Sequence, residues 1–198
     1  MKQTCIDTES GPYYFQPKVM VRGVKKINKE QSKQNLFDFK KVMDQHNLKF
    51  GLIYGTLLGA VREKDFITHD EDIDLFMLEE DRNSFLNALA DLKAVGLDVV
   101  RYDGKMISLM KEEDYIDVYF FKKGFLCYRT CGKMILNKKF LSFVDQIDFL
   151  GKQFWTVKDP MHFLKNMYGK NWHIPIQNKH AKPYVGGSRL RHWIRKYI

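Results

Sequence analysis

Three aspartates alternate with other residues in the stretch THDEDIDLF, residues 68–76. Asp70, Asp72 and Asp74 stand at every second position. The opposite register carries the apolar residues Ile73, Leu75 and Met77. Successive side chains of a β-strand point to opposite faces, so this spacing predicts a strand with one apolar face and one acidic face.

Carboxylates crowded on one face repel one another unless a proton or a cation neutralises them. Hard oxygen ligands suit Mg²⁺ or Mn²⁺. We therefore interpret Asp72 and Asp74 as metal ligands and Asp70 as an outer ligand. A solvated edge strand would show the same spacing, but the apolar segments on either side favour a central strand.

A further carboxylate, Asp117, interrupts the apolar segment YIDVYFF between Ile116 and Val118. It could pair with a buried Lys or Arg. It could also complete a site for two divalent cations held about 3.5–4 Å apart. The second interpretation requires Asp117 to share a face of the sheet with Asp72 and Asp74, within reach of a common metal ion.

A glycine turn supplies a candidate phosphate-binding element. Gly55 and Thr56 follow the short apolar strand KFGLIY and begin a predicted helix over 55–64. Helix N-termini present free N–H groups and a favourable dipole to phosphates. Arg62, in the same helix, could neutralise charge on a leaving group, and an arginine that only caps the helix would look the same.

The remaining periodicity predicts an α/β (α+β) domain with a mixed sheet flanked by helices. Helices are expected over 28–47 with Asn28 as cap, 55–64, 79–96, and 159–169 with Asp159 as cap. Strands are expected over 49–54, 70–78, 98–103, 105–111 and 115–121, with a hairpin over 145–157. We expect a single domain over 1–198, with an irregular N-terminal arm over 1–27 and a basic C-terminal tail over 170–198.

Composition excludes several classes of protein. The 198 residues are 44% hydrophobic, without the apolar run of a membrane helix or signal peptide, so a cytoplasmic protein is expected. Three cysteines are few and odd in number, which argues against a disulfide framework.

The net charge of +9 suits phosphate-bearing partners. No nucleic acid is expected, because basic residues are not interleaved with stacking aromatics. The basic tail could contact the inner face of an anionic membrane, although we favour a merely solvated tail.

The motif over residues 54–77, YGTLLGAVREKDFITHDEDIDLFM, resembles the signature of the LicD family in the nucleotidyltransferase superfamily. That family includes bacterial phosphocholine transferases and fukutin-like proteins. MYGKNWHIP, residues 167–175, resembles a second element of the family. Lys64-Asp65 stands where the family often has a glycine, and Thr68-His69 where it often has Pro-Trp.

The resemblance implies a metal-dependent phosphotransferase. It would move a phospho-alcohol, such as phosphocholine from CDP-choline, to a sugar hydroxyl of a cell-surface glycan, for example in lipopolysaccharide, teichoic acid or capsule. Asp72 and Asp74 would hold two Mg²⁺ or Mn²⁺ ions at the donor diphosphate. Asp117 would hold the metal at the acceptor hydroxyl or act as general base, and Gly55 and Thr56 would cradle the donor phosphates.

His69, Tyr168 and Trp172 are candidate substrate contacts. A histidine beside carboxylates is more often a hydrogen-bonded neighbour than a general base. For the two aromatic residues we favour a role in closing the core.

Two other functions fit the same residues. One is a nucleotidyltransferase that moves NMP from an NTP to a small molecule. The other is a non-catalytic module of the same fold, although its acidic triad would be expected to decay.

Overall fold

The longest helix begins where its cap predicts. In the computed structural model, which describes residues 4–19 and 26–175, α1 covers Lys29–Gln45. The Asn28 side chain accepts a hydrogen bond from Gln31 N at 3.3 Å, which satisfies one of the free N–H groups of the first turn. The buried apolar face of α1 is formed by Leu36, Phe39, Val42 and Met43.

The other helices are shorter than α1. They are α2 (Tyr54–Arg62), α3 (Arg82–Asn87), α4 (Leu89–Ala94) and α5 (Pro160–Tyr168). The predicted helix over 79–96 is thus divided: a single 3₁₀ turn over Glu79–Asp81 precedes α3, and Ala88 separates α3 from α4. The break at Ala88 follows from its N–H, which bonds to Phe85 O three residues back instead of four. None of the helices in the described ranges is long and apolar enough to cross a membrane.

A mixed sheet forms the centre of the fold and confirms the predicted class. Its path is β10-β11-β3-β4-β7-β6-β5, with β8 and β9 continuing from β7. The central pair, β4 and β7, is parallel, whereas β6 is antiparallel to both β5 and β7. The bounds are β3 Gly51–Leu52, β4 Asp72–Leu78, β5 Asp98–Tyr102, β6 Met106–Lys111, β7 Asp114–Lys123, β8 Tyr128–Cys131, β9 Met134–Asn137, β10 Asp145–Phe149 and β11 Lys152–Thr156.

The two faces of the central strands differ as the alternation predicts. Ile73, Leu75 and Met77 of β4 lie in register with Ile116, Val118 and Phe120 of β7, and all six are buried. The Phe85 ring of α3 lies 5.4 Å from the Phe120 ring and 6.2 Å from the Phe39 ring of α1. This apolar face therefore packs on α1 and α3, which leaves the acidic residues on the opposite face.

The N-terminal arm predicted to be irregular over 1–27 contains a β-hairpin, β1 (Thr4–Thr8) and β2 (Gly11–Phe15). Each strand buries only one apolar side chain, Ile6 and Phe15, so its periodicity is too weak to detect from sequence. The turn depends on Gly11, whose φ of +110° is favourable only for glycine. The hairpin is fixed to the domain by a bond from Glu9 N to Asn87 Oδ1 at 2.9 Å.

Two other segments also differ from the sequence prediction. The strand expected over 49–54 is reduced to two residues, because α2 begins at Tyr54. A hairpin of β8 and β9, which the sequence did not reveal, turns at Gly132 with φ +57°. Cys127 and Cys131 lie in or beside this hairpin, and both are free thiols.

Candidate active site

Asp74 lies at the centre of the acidic face and is only 8% exposed. Its Oδ2 accepts a hydrogen bond from Gly55 N at 3.0 Å, and its Oδ1 accepts one from the Tyr119 hydroxyl at 3.2 Å. Its own N–H donates to Thr56 Oγ1 at 2.8 Å. These contacts join the start of α2 to β4, so the glycine turn and the acidic strand form one rigid unit.

Burial and like charge both act on Asp74. Burial raises the pKa of this carboxyl well above its usual range, and the negative charges of Asp72, Asp70 and Asp117 raise it further. The bond from Gly55 N partly opposes that rise in pKa. A carboxylate in this position carries a free-energy cost that a bound cation would remove.

The pairing of β4 with β7 brings a second carboxylate beside Asp74. The register places Asp117 opposite Asp74, and paired residues of neighbouring strands point to the same face of a sheet. The predicted position of Asp117, on the acidic face with Ile116 and Val118 on the apolar face, is confirmed.

The Asp117 carboxylate, 2% exposed, is ion-paired. Arg101 Nη2 lies 3.1 Å from its Oδ1 and 2.8 Å from its Oδ2. The Ser108 hydroxyl donates to Oδ1 at 2.5 Å and accepts from Arg101 Nε at 2.9 Å. Of the two interpretations of Asp117 from sequence, the structure thus shows the pairing with an arginine.

Arg101 and Ser108 were missed in the sequence, although each left a signal. Arg101 is two residues after Val99, which is buried, so strict alternation would place a charged side chain on the apolar face. Such a conflict indicates either a buried partner or an irregular strand. Ser108 has the opposite register from Ile107 and Leu109 in β6, and it interrupts an otherwise apolar segment as Asp117 does.

Four tyrosines surround the carboxylates, of which only Tyr168 was predicted as a site residue. Burial and then nearby carboxylates raise the pKa of the hydroxyls of Tyr54, Tyr115, Tyr119 and Tyr168. The Tyr54 and Tyr119 rings meet edge to face at 5.5 Å. Tyr54 also has φ of +48°, a strained conformation for a residue with a side chain, at the first position of α2. The tyrosines thus form a neutral, hydrogen-bonding wall beside the charged residues.

Asp70 lies against the glycine turn. A Cβ added to Gly55 would come within 2.2 Å of Asp70 Oδ2, so only glycine allows this approach. The pKa of Asp70 is raised to about 6, mainly by burial. A hydrogen bond from the Glu71 N–H lowers this pKa, and the negative charges of Glu71 and Glu63 raise it. The predicted role of Asp70 as an outer metal ligand stays a prediction, with its carboxyl now placed beside Gly55.

We expect Gly55→Ala to lower the melting temperature by moving Asp70, and the second change Asp70→Ala to restore most of the loss. Gly59→Ala is the matched control, since its Cβ would come within 2.5 Å of the backbone oxygen of Asp65, which no side-chain change removes. Thermal unfolding of the single and double variants measures the coupling. Equal rescue of both glycine variants by Asp70→Ala would contradict this explanation.

The two remaining phosphate-binding candidates have structural partners. Thr56 is buried, and its hydroxyl oxygen accepts from Asp74 N. Arg62 bonds the Glu63 carboxylate through Nε and Nη2, and its Nη1 donates to Trp172 O at 3.4 Å. Arg62 therefore attaches the segment after α5 to α2. Contacts of either residue with a donor stay predictions.

The candidate substrate contacts lie in different surroundings. His69 is exposed in the turn before β4. Trp172 is partly buried and packs against the core, in the role favoured for it from sequence. Tyr168 is 40% exposed, and partial burial together with the charges of Asp74, Asp70 and Asp72 raises the pKa of its hydroxyl. Most of the basic tail, residues 176–198, lies outside the described residues.

The carboxylates of β4 suit a divalent cation by chemistry and by electrostatics. Asp72 and Asp74 supply hard oxygen ligands from one face, and Asp74 is buried among like charges. Within residues 4–19 and 26–175, no three carboxylate, histidine or cysteine side chains are grouped as ligands of one metal ion. Asp72 and Asp74 are therefore the two carboxylates of β4 that would share such an ion, whereas the oxygens of Asp117 are engaged by Arg101 and Ser108.

Comparisons with known proteins found a family model and two relatives that match parts of this chain. The model of the family described as "LicD/FKTN/FKRP, nucleotidyltransferase domain" matches residues 47–168. An uncharacterized protein of Rickettsia typhi is 31% identical over 90 residues, which are 46% of this chain and 28% of that protein. A second, from Rickettsia prowazekii, is 32% identical over 66 residues, or 33% of this chain and 25% of that protein. The chain thus spans little more than a quarter of the length of these relatives.

The fold is similar to that of a solved structure. The solution structure of the antibiotic-resistance factor ANT(2'')-Ia superposes with a TM-score of 0.55, covering 85% of this chain and 93% of that one at 13% sequence identity. At this low identity the likeness concerns the fold alone.

Proposed function

Because this chain belongs to the family of LicD/FKTN/FKRP nucleotidyltransferase domains, we propose that it is a metal-dependent phosphotransferase. It would move a phospho-alcohol, such as phosphocholine, from a CDP-activated donor to a sugar hydroxyl of a glycan or glycolipid. The observation that carries the proposal is the register of Asp74 with Asp117 on one face of the sheet, next to the glycine turn that opens α2. The register supports the proposal because Asp74, proposed for the donor side, and Asp117, proposed for the acceptor side, are neighbours across two strands.

Phosphoryl transfer depends on positioning and on neutralisation of charge more than on covalent chemistry. A divalent cation on Asp72 and Asp74 would neutralise the donor diphosphate. Gly55 N already points to Asp74, so the start of α2 is oriented towards the place where that charge would lie. Burial and like charges make the Asp74 carboxylate unfavourable as a lone anion, so a cation bound there would relieve the repulsion.

Asp117 would act on the acceptor side. Arg101 and Ser108 fix the plane of its carboxylate through three hydrogen bonds. A carboxylate held in this way can still accept a hydrogen bond from a sugar hydroxyl and align it with the phosphorus. The Tyr119 hydroxyl, two residues along the same strand, is positioned to donate to a polar substrate group if it leaves Asp74.

The proposal predicts release of CMP from CDP-choline or CDP-ribitol in the presence of Mg²⁺ or Mn²⁺ and a glycan acceptor. Incubation of the full chain with each donor, followed by chromatographic detection of CMP, measures it. Parallel incubations with NTPs and detection of pyrophosphate test the competing transfer of NMP. Asp148→Asn is a suitable active control. Asp148 is exposed on the edge strand β10, which β11 and β3 separate from β4.

The two assays separate the candidate functions. Pyrophosphate release without CMP release would replace the proposed activity by nucleotidyl transfer. Stabilisation by CDP-choline that is equal with Mg²⁺ and in EDTA would contradict the metal-dependent mechanism, since a bound cation is required to offset the repulsion between diphosphate and carboxylates.

A further inference from the structure

Arg101, Ser108, Asp117 and Asp74 form a continuous row across four neighbouring strands. Arg101 of β5 pairs with Ser108 of β6, Ser108 pairs with Asp117 of β7, and Asp117 pairs with Asp74 of β4. Paired residues share a face, so the guanidinium lies on the acidic face at the end of this row. A fixed positive charge is therefore built into the site by the backbone register.

A β-bulge places Arg101 in the row. The pairing of β5 with β6 shifts by one residue between Val99 and Arg101, so that Val100 has no partner in the register. Without this extra residue, Val100 would face Ser108 and Arg101 would point to the apolar face with Ile107. Bulges frequently re-aim a side chain next to a functional site.

The N-terminal segment bonds the backbone of the bulged residue. Lys18 N donates to Val100 O at 3.0 Å, after the β1–β2 hairpin and on the edge strand of the main sheet. A buried carbonyl without a partner would cost about 1–3 kcal/mol, so this bond supports the backbone at the bulge. The bulge is thus a supported feature of the fold.

We propose that Arg101 replaces a second divalent cation at Asp117, so that the site binds one metal ion, on Asp72 and Asp74. The inference rests on the proposed function in one respect, that the acidic face binds a divalent cation. It differs from the two-cation site expected from sequence. A second cation would have to approach Asp117 beside a guanidinium whose Nη2 bonds both of its oxygens. It would meet like charge there and would find those oxygens already coordinated by hydrogen bonds.

The inference makes Arg101 a positioning residue. It acts through Asp117, whose carboxylate it keeps oriented and unavailable to metal, and so reserves that carboxylate for the acceptor hydroxyl. The contact with Ser108 Oγ adds to the orientation, since that hydroxyl accepts from Arg101 Nε while it donates to Asp117.

Titration of the full chain with Mn²⁺ alone, followed by electron paramagnetic resonance of the free ion, measures the number of ions bound. We expect one Mn²⁺ per wild-type chain and one for Arg101→Lys, which keeps the charge. Arg101→Gln should bind two, and Arg101→Gln/Asp117→Asn should return to one. Two ions on the wild-type chain, no ion on it, or one ion on Arg101→Gln would overturn the proposal.

Asp117→Asn keeps the inference testable if Arg101→Gln does not fold. We expect it to bind one Mn²⁺, as the wild type does, with a lower affinity because a negative charge beside Asp74 is lost while Arg101 stays positive. A chain that binds no Mn²⁺ at saturating concentration would make Asp117 a required metal ligand and refute the inference. Because the titration uses no donor, a chain that binds one Mn²⁺ but releases no CMP fails the proposed function alone, and a chain that releases CMP but binds two Mn²⁺ fails this inference alone.

Discussion

Asp74→Asn should stabilise the metal-free protein and abolish its turnover. The side chain keeps its shape: Asn Oδ1 can accept from Gly55 N, and its amide can donate to the Tyr119 hydroxyl, which rotates to accept. The change removes a buried negative charge that lies among three other carboxylates. Because burial and these charges raise the pKa of Asp74, the free energy of unfolding of Asp74→Asn should exceed that of the wild type.

The gain should depend on pH in a defined direction. The pKa of Asp74 is raised in the folded protein and is about 3.9 in an unfolded chain. Between these values the folded state holds more protons, so wild-type stability falls as the pH rises through this window. The advantage of Asp74→Asn should therefore be small near pH 4 and greatest above the pKa of the folded state.

Urea unfolding in EDTA across this pH range measures the stability, and CMP release measures the activity. Loss of a metal ligand that contributes several kcal/mol to the transition state predicts a decrease in activity of about a hundredfold or more. Asp148→Asn serves as control, because its carboxylate is exposed and its removal should change neither quantity. A less stable Asp74→Asn, or one that keeps a tenth of the activity, would contradict this assignment.

Arg101→Ala should destabilise the protein far more than the removal of an arginine from an exposed ion pair. It leaves Asp117, 2% exposed, as an uncompensated charge beside Asp74. Breaking a buried pair in this way costs about 3–5 kcal/mol, and because the Arg101 side chain is 33% exposed we expect a cost near the lower value, about 3 kcal/mol. The second change Asp117→Asn should recover at least half of the loss, because it removes the unpaired charge.

Arg129→Ala provides the matched control. Arg129 also bonds both oxygens of one carboxylate, that of Glu80, but this carboxylate is 41% exposed and remains hydrated when its partner is removed. We expect a cost of about 1 kcal/mol, as for surface pairs. Equal costs for Arg101→Ala and Arg129→Ala, or no recovery by Asp117→Asn, would show that burial of Asp117 does not decide the effect.

Side-chain alternation was sufficient to predict the two faces of β4 and β7. The two strands pair without a bulge, so residues that alternate in the sequence also alternate between the faces of the sheet. Asp72, Asp74 and Asp117 therefore lie on the expected face. The caps of α1 and α5 were predicted as well, because Asn28 and Asp159 act within their own first turns. These features depend on short-range rules.

The ion pair on Asp117 could not be identified in this way. The bulge at Val100 inserts one residue into β5 that has no partner in β6, so strict alternation along the sequence would assign Arg101 to the wrong face. The support for that bulge comes from Lys18, far away in the sequence, and no local pattern encodes their contact. Likewise, the hairpin of β1 and β2 depends on docking against Asn87 more than on its own periodicity.

The row across the sheet also implies an order of events during folding. β5, β6 and β7 follow one another along the chain as antiparallel neighbours, so short connections bring Arg101, Ser108 and Asp117 together. Asp74 joins them only through the parallel pairing of β4 with β7, which closes a much longer loop. Local contacts form earlier than distant ones. We therefore expect the charge on Asp117 to be compensated before the second carboxylate arrives, so that the late strand docks against a neutral partner.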